Sequence, residues 1–333
     1  IEVRPMICGS MGTQPFYVKK YGRLELPNVA IQDAFVLVNF TSELNSSDFE
    51  LVVQDQTGQN ITGNDNVLIG DQVLVNHTAT HRNVMIGSAI AFRQNGGNDN
   101  TYIGYTAGTG FGFYDNQKNT AVGAYCLPNL TTSDKQTGIG YQAGYNQQGS
   151  GDDNVYVGYN AGYSGGGTKG TFVGAQAGEN APVGTNNMTC IGASAGQSNS
   201  RSDITCVGFQ AGKGKSSGFG GQYSTCVGAY SFAEFGDGAQ ATGNTGLGYY
   251  TGYAVTTGTH NTFLGFQAGD AVTTGSNNIA IGKDAAISSN DVSNEVVLGN
   301  SSISSLRCQV QTISSLSDER DKSDIKTLPD AAD

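Results

Sequence analysis

The 333-residue chain contains no tryptophan, only 3 histidines and 6 cysteines, and charged residues make up just 14% of it. Each scarcity excludes something. His77, His81 and His260 are scattered, with no H-E-x-x-H or H-x-H spacing, so no metal site is expected. Cys8, Cys126, Cys190, Cys206, Cys226 and Cys308 show neither C-x-x-C pairing nor disulfide-scaffold density, and read as free thiols of a chain made in a reducing cytoplasm. No apolar run reaches the length of a membrane span, and no charged-then-apolar leader opens the chain. Ile1 stands where an initiator Met would, so the natural start is expected upstream. There is no G-x-x-x-x-G-K-[ST], and no recurring carboxylate pair of the glycosidase kind, so no cofactor is expected. A net charge of -11 disfavours nucleic acid or an anionic membrane as partner, since both need a basic face.

Glycine, by contrast, supplies 49 residues, without the three-residue period of collagen. A short apolar run closed by glycine recurs from residue 66 to residue 299: NVLIG, NVMIG, NTYIG, NTAVG, QTGIG, NVYVG, GTFVG, MTCIG, ITCVG, STCVG, NTGLG, NTFLG, NIAIG and EVVLG. These fourteen copies are spaced 16 to 20 residues apart. The residue before the glycine is Ile, Val or Leu, and the one two earlier is Val, Ile or Thr, which predicts a strand with that pair on its buried face. The intervening position is also mostly apolar, which predicts a strand that meets protein on both faces and therefore a neighbouring chain.

Seven copies run on into Ala-Gly, small residues suited to close approach and to turns with positive φ. A unit of this length has room for two short strands and two tight turns, so each copy predicts one flat coil of a β-solenoid. Stacked at the strand spacing of about 4.8 Å, fourteen coils make a rod on the order of 70 Å long. Such coils have little private interior, which favours a closed oligomer. The Asn that opens eight copies predicts a structural ladder, and Cys190, Cys206 and Cys226, at equivalent positions in consecutive copies, predict a column of small buried hydrophobes.

The predicted organisation is a β-rich cap or shaft adaptor over 1–62, repeats over 63–299, an extended β linker over 300–316 and a further segment over 317–333. FVLVNF (35–40) and FELVVQD (49–55) read as antiparallel strands of the cap. Three aromatic stretches between copies are candidate binding loops, with Phe111, Phe113 and Tyr114 in the first, Phe219 and Tyr223 in the second, and Phe232 and Phe235 in the third. Aromatic faces stack on sugar rings, so a host-surface glycan is the ligand class expected there.

The N-[TV]-x-[ILV]-G-[YFA]-x-A-G pattern resembles the left-handed parallel β-roll of trimeric autotransporter adhesin heads and of related repeats in phage and algal-virus fibres. That resemblance implies an all-β homotrimer. After the last copy, SLSDERDKSDIKTL resembles the opening of the intramolecular chaperone found C-terminal to endosialidases, tail spikes and fibres. It implies a domain that trimerises nascent chains and then cuts itself off, with Ser317 as nucleophile and Lys322 as general base. Asp318 and Arg320 match the same motif.

Together these readings predict a virion attachment fibre. It would join other tail proteins through its N-terminal end and meet host glycan elsewhere, acting on no external substrate. A bacterial adhesin head and a fibre-borne polysaccharide depolymerase are the rival readings.

Overall fold

The computed structural model describes residues 65–73, 80–90, 97–110, 116–131, 133–146, 151–164, 167–182, 184–215, 220–236 and 241–309, and the backbone of three short strands upstream. Two of these, β1 (Tyr17–Val18) and β2 (Leu24–Glu25), form an antiparallel pair. The third, β3 (Leu51–Val53), was expected to be antiparallel and is not: Leu51 pairs in parallel register with Val67 of the first copy. Its LVV triplet continues the alternation of the copies without their closing glycine, so it was missed as one more rung. The FVLVNF segment lies outside the described residues.

The fourteen copies are fourteen strands: β4 (Val67–Asp71), β5 (Val84–Ser88), β6 (Thr101–Tyr105), β7 (Thr120–Val122), β8 (Thr137–Ile139), β9 (Val155–Val157), β10 (Thr171–Val173), β11 (Met188–Ile191), β12 (Ile204–Val207), β13 (Thr225–Val227), β14 (Thr245–Leu247), β15 (Thr262–Leu264), β16 (Ile279–Ile281) and β17 (Val296–Leu298). With β3 they make one 15-stranded parallel sheet in strict chain order, an all-β solenoid. Equivalent residues pair throughout, as in Gly70↔Gly87 and Gly87↔Gly104. Each coil has one strand of three to five residues among the described residues, not the two predicted. The return side is built from turns, because the coil reverses through residues held at positive φ, such as Asp99, Thr106 and Gly108.

The closing glycines form a column of their own. Gly158 sits at φ +138, and a Cβ there would come 2.7 Å from the carbonyl carbon of Gly174 in the next coil. No side chain fits that approach, which explains why the position admits only glycine.

The two faces of the strand are opposite to the prediction. The intervening residue points inward and is fully buried, as at Leu68, Tyr102, Tyr156, Phe172, Cys190, Cys206, Cys226 and Phe263. The β-branched pair points out: Leu247 is 51% exposed, and Ile139, Ile191, Leu264 and Ile281 are exposed too. The reason is volume. The inward strand residue, packed against the alanine of Ala-Gly, fills most of so thin an interior; Ala143, Ala161, Ala177 and Ala268 are all buried.

Two polar ladders clamp the coils in opposite directions. In the inner one, the backbone N–H groups of Asn83, Asn100, Asn119 and Gln136 each donate to the Oδ1 of the Asn one coil earlier, at 3.1, 2.9, 2.9 and 2.8 Å. Gly170 N–H still donates to Asn154 Oδ1 (2.6 Å), but Gly170, Met188 and Ile204 offer no side-chain acceptor, Met188 and Ile204 being buried beside the stretch that carries the cysteine column. The ladder resumes at Ser224, whose Oγ accepts from Asn244 N–H (3.1 Å), and runs on through Asn244, Asn261 and Asn278. In the outer ladder the side chain comes from the later coil: Asp134 N–H donates to Asp152 Oδ1 (2.8 Å) and Thr168 N–H to Asn186 Oδ1 (2.8 Å). The buried Asn side chains of the inner ladder, such as Asn83, Asn100 and Asn119, are thereby paired within a single chain.

Residues 301–333 form a second unit, and its described part, 301–309, contains no strand. The extended β linker expected over 300–316 is therefore not a strand as far as it is described.

Candidate functional site

In most coils the closing glycine is followed by a turn whose first, second and fifth residues face outward, whereas its third and fourth, usually Ala and Gly, pack inward; the fifth is buried at Pro128, Ala233 and Ile287. Aromatic residues at these outward positions gather into two clusters. In the first, Tyr105 and Tyr125 meet edge to face with ring centroids 5.2 Å apart, Tyr125 meets Tyr141 edge to face at 6.1 Å, and Tyr141 stacks on Tyr159 at 5.8 Å. In the second, Phe209 and Tyr230 meet edge to face at 5.1 Å, Tyr230 meets Tyr249 edge to face at 6.2 Å, and Tyr249 stacks on Phe266 at 5.3 Å.

The clusters are near copies of each other. In both, the second coil has alanine at the first turn position (Ala124, Ala229) and tyrosine at the next (Tyr125, Tyr230), so one ring crosses between those of the coils on either side. In both, a ring at the fifth turn position lies 6.4 Å from that tyrosine: Tyr145 in the first cluster and Tyr253 in the second. The matched positions are six coils apart, about 29 Å at the strand spacing.

These rings are open to solvent. Tyr141 is 45% exposed, Tyr159 53%, Tyr249 43% and Phe266 45%. Loss of solvation among neighbouring rings pushes the Tyr125 and Tyr250 phenols above the usual tyrosine range, so their hydroxyls stay neutral. Around the first cluster, Asn129 Nδ2 donates to the Tyr145 carbonyl (2.8 Å) and to Asn146 Oδ1 (3.3 Å). Beside the second, Lys215 pairs with Glu234 (2.9 Å), which also accepts from the Tyr253 hydroxyl (3.3 Å).

The residues singled out from sequence fare differently. Phe232 and Phe235 are fully buried and stack on each other at 5.3 Å, so neither can touch a ligand. Phe232 stands where an ordinary coil has the glycine of Ala-Gly, Phe235 where other coils have Ala181, Val255 or Val272, and both fill the interior, a packing role that aromatic content alone does not reveal. Tyr223 is 65% exposed at a left-handed turn position. Phe111, Phe113, Tyr114 and Phe219 lie outside the described residues, as do Ser317 and Lys322. The exposed tyrosines escaped notice because they sit inside the repeat and were absorbed into its consensus. The visible signal was their uneven distribution, with aromatics after some closing glycines and Ala175 and Ala193 after others.

The cysteine column is as expected. Cys190 pairs with Cys206 and Cys206 with Cys226 across adjacent strands, all fully buried. Cys190 shares a thiol hydrogen bond with Cys206 and burial adds to it, so its thiol is pushed well up. Among the described residues, no group of three or more His, Cys, Asp or Glu could hold a metal ion, and no helix is long and apolar enough to cross a membrane. No protein-family model, curated protein or solved structure matches the chain.

Proposed function

We propose that the chain is the rod section of a homotrimeric viral attachment fibre, a left-handed β-roll. An N-terminal adaptor would join it to other virion proteins, and a self-cleaving chaperone would begin at Ser317. The observation that carries the reading is the uncovered apolar strand face. A long sheet that turns Ile, Val and Leu outward along one side of a rod leaves an apolar surface of the kind that marks an association site. Identical rods sharing an axis bury it in one step, and three-fold closure is what the adhesin-like repeat pattern implies.

The chaperone part rests on the SLSDERDK sequence. Ser317 Oγ adds to the Leu316 carbonyl carbon while Lys322 takes its proton, the 316–317 C–N bond breaks as its nitrogen takes that proton back, and water hydrolyses the resulting ester; this requires a lysine held neutral by burial or by neighbouring cations. Deferring the cut until the three chains are in register would suit a parallel sheet, whose pairings form slowly.

The test is expression of the complete gene with Ser317→Ala and, separately, Lys322→Ala. Each variant should run longer than wild type on a denaturing gel, while wild-type product adheres to host cells. Identical processing in all three would refute the chaperone assignment, and loss of adhesion by none of the fibre's parts in competition assays would refute attachment.

A further inference from the structure

We propose that the two matched aromatic clusters are paired binding sites for a neutral glycan chain, an inference that rests on the attachment reading above and names the surface that performs it.

The rings are not needed by the fold. Coils closed by Gly174 and Gly192 carry Ala175 and Ala193 at the first turn position and Glu179 and Gln197 at the fifth, yet pair in the same register as their neighbours. Solvent-exposed aromatics that the coil can do without, set twice in one geometry, mark a surface built for contact.

The chemistry of the surface selects the ligand. Phenol rings with neutral hydroxyls, beside the half-buried Asn146 amide at the first cluster, match a pyranose, whose C–H face stacks on a ring while its hydroxyls exchange hydrogen bonds. An anionic sugar taken at both clusters would need a cation at both; Lys213 stands at the fifth turn position of the Phe209 coil, but the matching turns of the first cluster carry no lysine or arginine. Two sites fixed on a rigid rod about 29 Å apart, six steps of the strand spacing, favour a polymer that reaches both over a short oligosaccharide that occupies one.

The test titrates the full chain with laminarihexaose, mannohexaose, cellohexaose and chitohexaose, and with soluble laminarin and mannan. Tyrosine emission is the readout, since no tryptophan obscures it. One hexasaccharide should bind at two equivalents per chain. Tyr141→Ala with Tyr159→Ala, or Tyr249→Ala with Phe266→Ala, should leave one equivalent, and all four together none, with circular dichroism unchanged. The parent polymer should bind wild type at least tenfold tighter than its hexasaccharide, and either paired variant should erase that advantage.

Absence of binding at millimolar concentration of every probe overturns the inference, as does binding that the four substitutions leave intact. Failure of acrylamide to quench the cluster tyrosines in the assembled protein also overturns it, because another copy then covers the rings. Any of these results with processing and assembly intact removes this inference alone, whereas an unprocessed single-chain rod removes the fibre reading and leaves the titration standing.

Discussion

Phe232 fills the space that the missing side chain of Gly246 leaves: a Cβ at position 246 would lie 2.5 Å from the Phe232 ring. In an ordinary coil the bulk sits on the strand and the glycine in the turn, as with Phe172 over Gly178. Here the two have changed places between successive coils. Leu127 and Gly138 repeat the exchange beside the first aromatic cluster, where a Cβ at 138 would lie 2.9 Å from Leu127 Cγ.

Phe232→Gly should therefore cost about 3–5 kcal/mol by opening a cavity, and Gly246→Phe should be comparably harmful by overfilling. The double variant restores the ordinary arrangement and relieves Phe232 of its φ of 50°. A double-mutant cycle in denaturant should show the pair recovering most of the loss, while simple additivity would contradict the exchange.

Gly158→Ala should destabilise more than Gly184→Ala. Both glycines hold positive φ, worth on the order of 1–3 kcal/mol to a side chain, but a Cβ at 158 also meets backbone, whereas one at 184 meets nothing within 4 Å. Thermal midpoints of the two variants measure the difference.

Asn100→Ala removes the acceptor for Asn119 N–H (2.9 Å) and the donor to the Asn116 carbonyl (2.8 Å), both in the buried ladder. Each orphaned group costs about 1–3 kcal/mol. Asn180→Ala, which loses only an exposed amide bond to the Ser198 hydroxyl, should stay within about 0.5 kcal/mol. Equal losses would mean that the ladder is incidental.

The thiols predict a pH response. Burial pushes Cys126 from the ordinary 9.0 up to about 12, so the folded chain keeps a proton that the unfolded chain releases first. Its contribution is complete below pH 9 and is lost as pH rises toward 12, at up to about 1.4 kcal/mol per pH unit. Cys126→Ala should flatten that part of the pH profile. In native protein at neutral pH, a disulfide reagent should leave Cys126, Cys190, Cys206 and Cys226 unmodified while reacting with exposed Cys308.

The solenoid, its fourteen rungs, the asparagine ladder and the cysteine column were legible because a strict repeat writes each coil's environment many times over. The direction of the strand faces was not legible. Both alternating sets are apolar, and only the volume inside a coil decides that Phe172 and Tyr156 go in while the β-branched residues go out. The fifteenth strand lacked its glycine, and Phe232 and Phe235 looked like binding residues because nothing local distinguishes a ring that fills a turn from one that leaves it. The tyrosine clusters needed three dimensions, since Tyr125 and Tyr141 become neighbours only when coils stack.

The account depends most on the outward strand face being the surface that identical rods share. Sedimentation equilibrium of wild type beside an Ile139→Glu, Leu247→Glu double variant addresses it directly. Wild type should sediment at three chain masses and the variant at one, with poor stability; a stably folded wild-type species of one chain mass, or a variant that keeps three, would show that this face is not the shared surface.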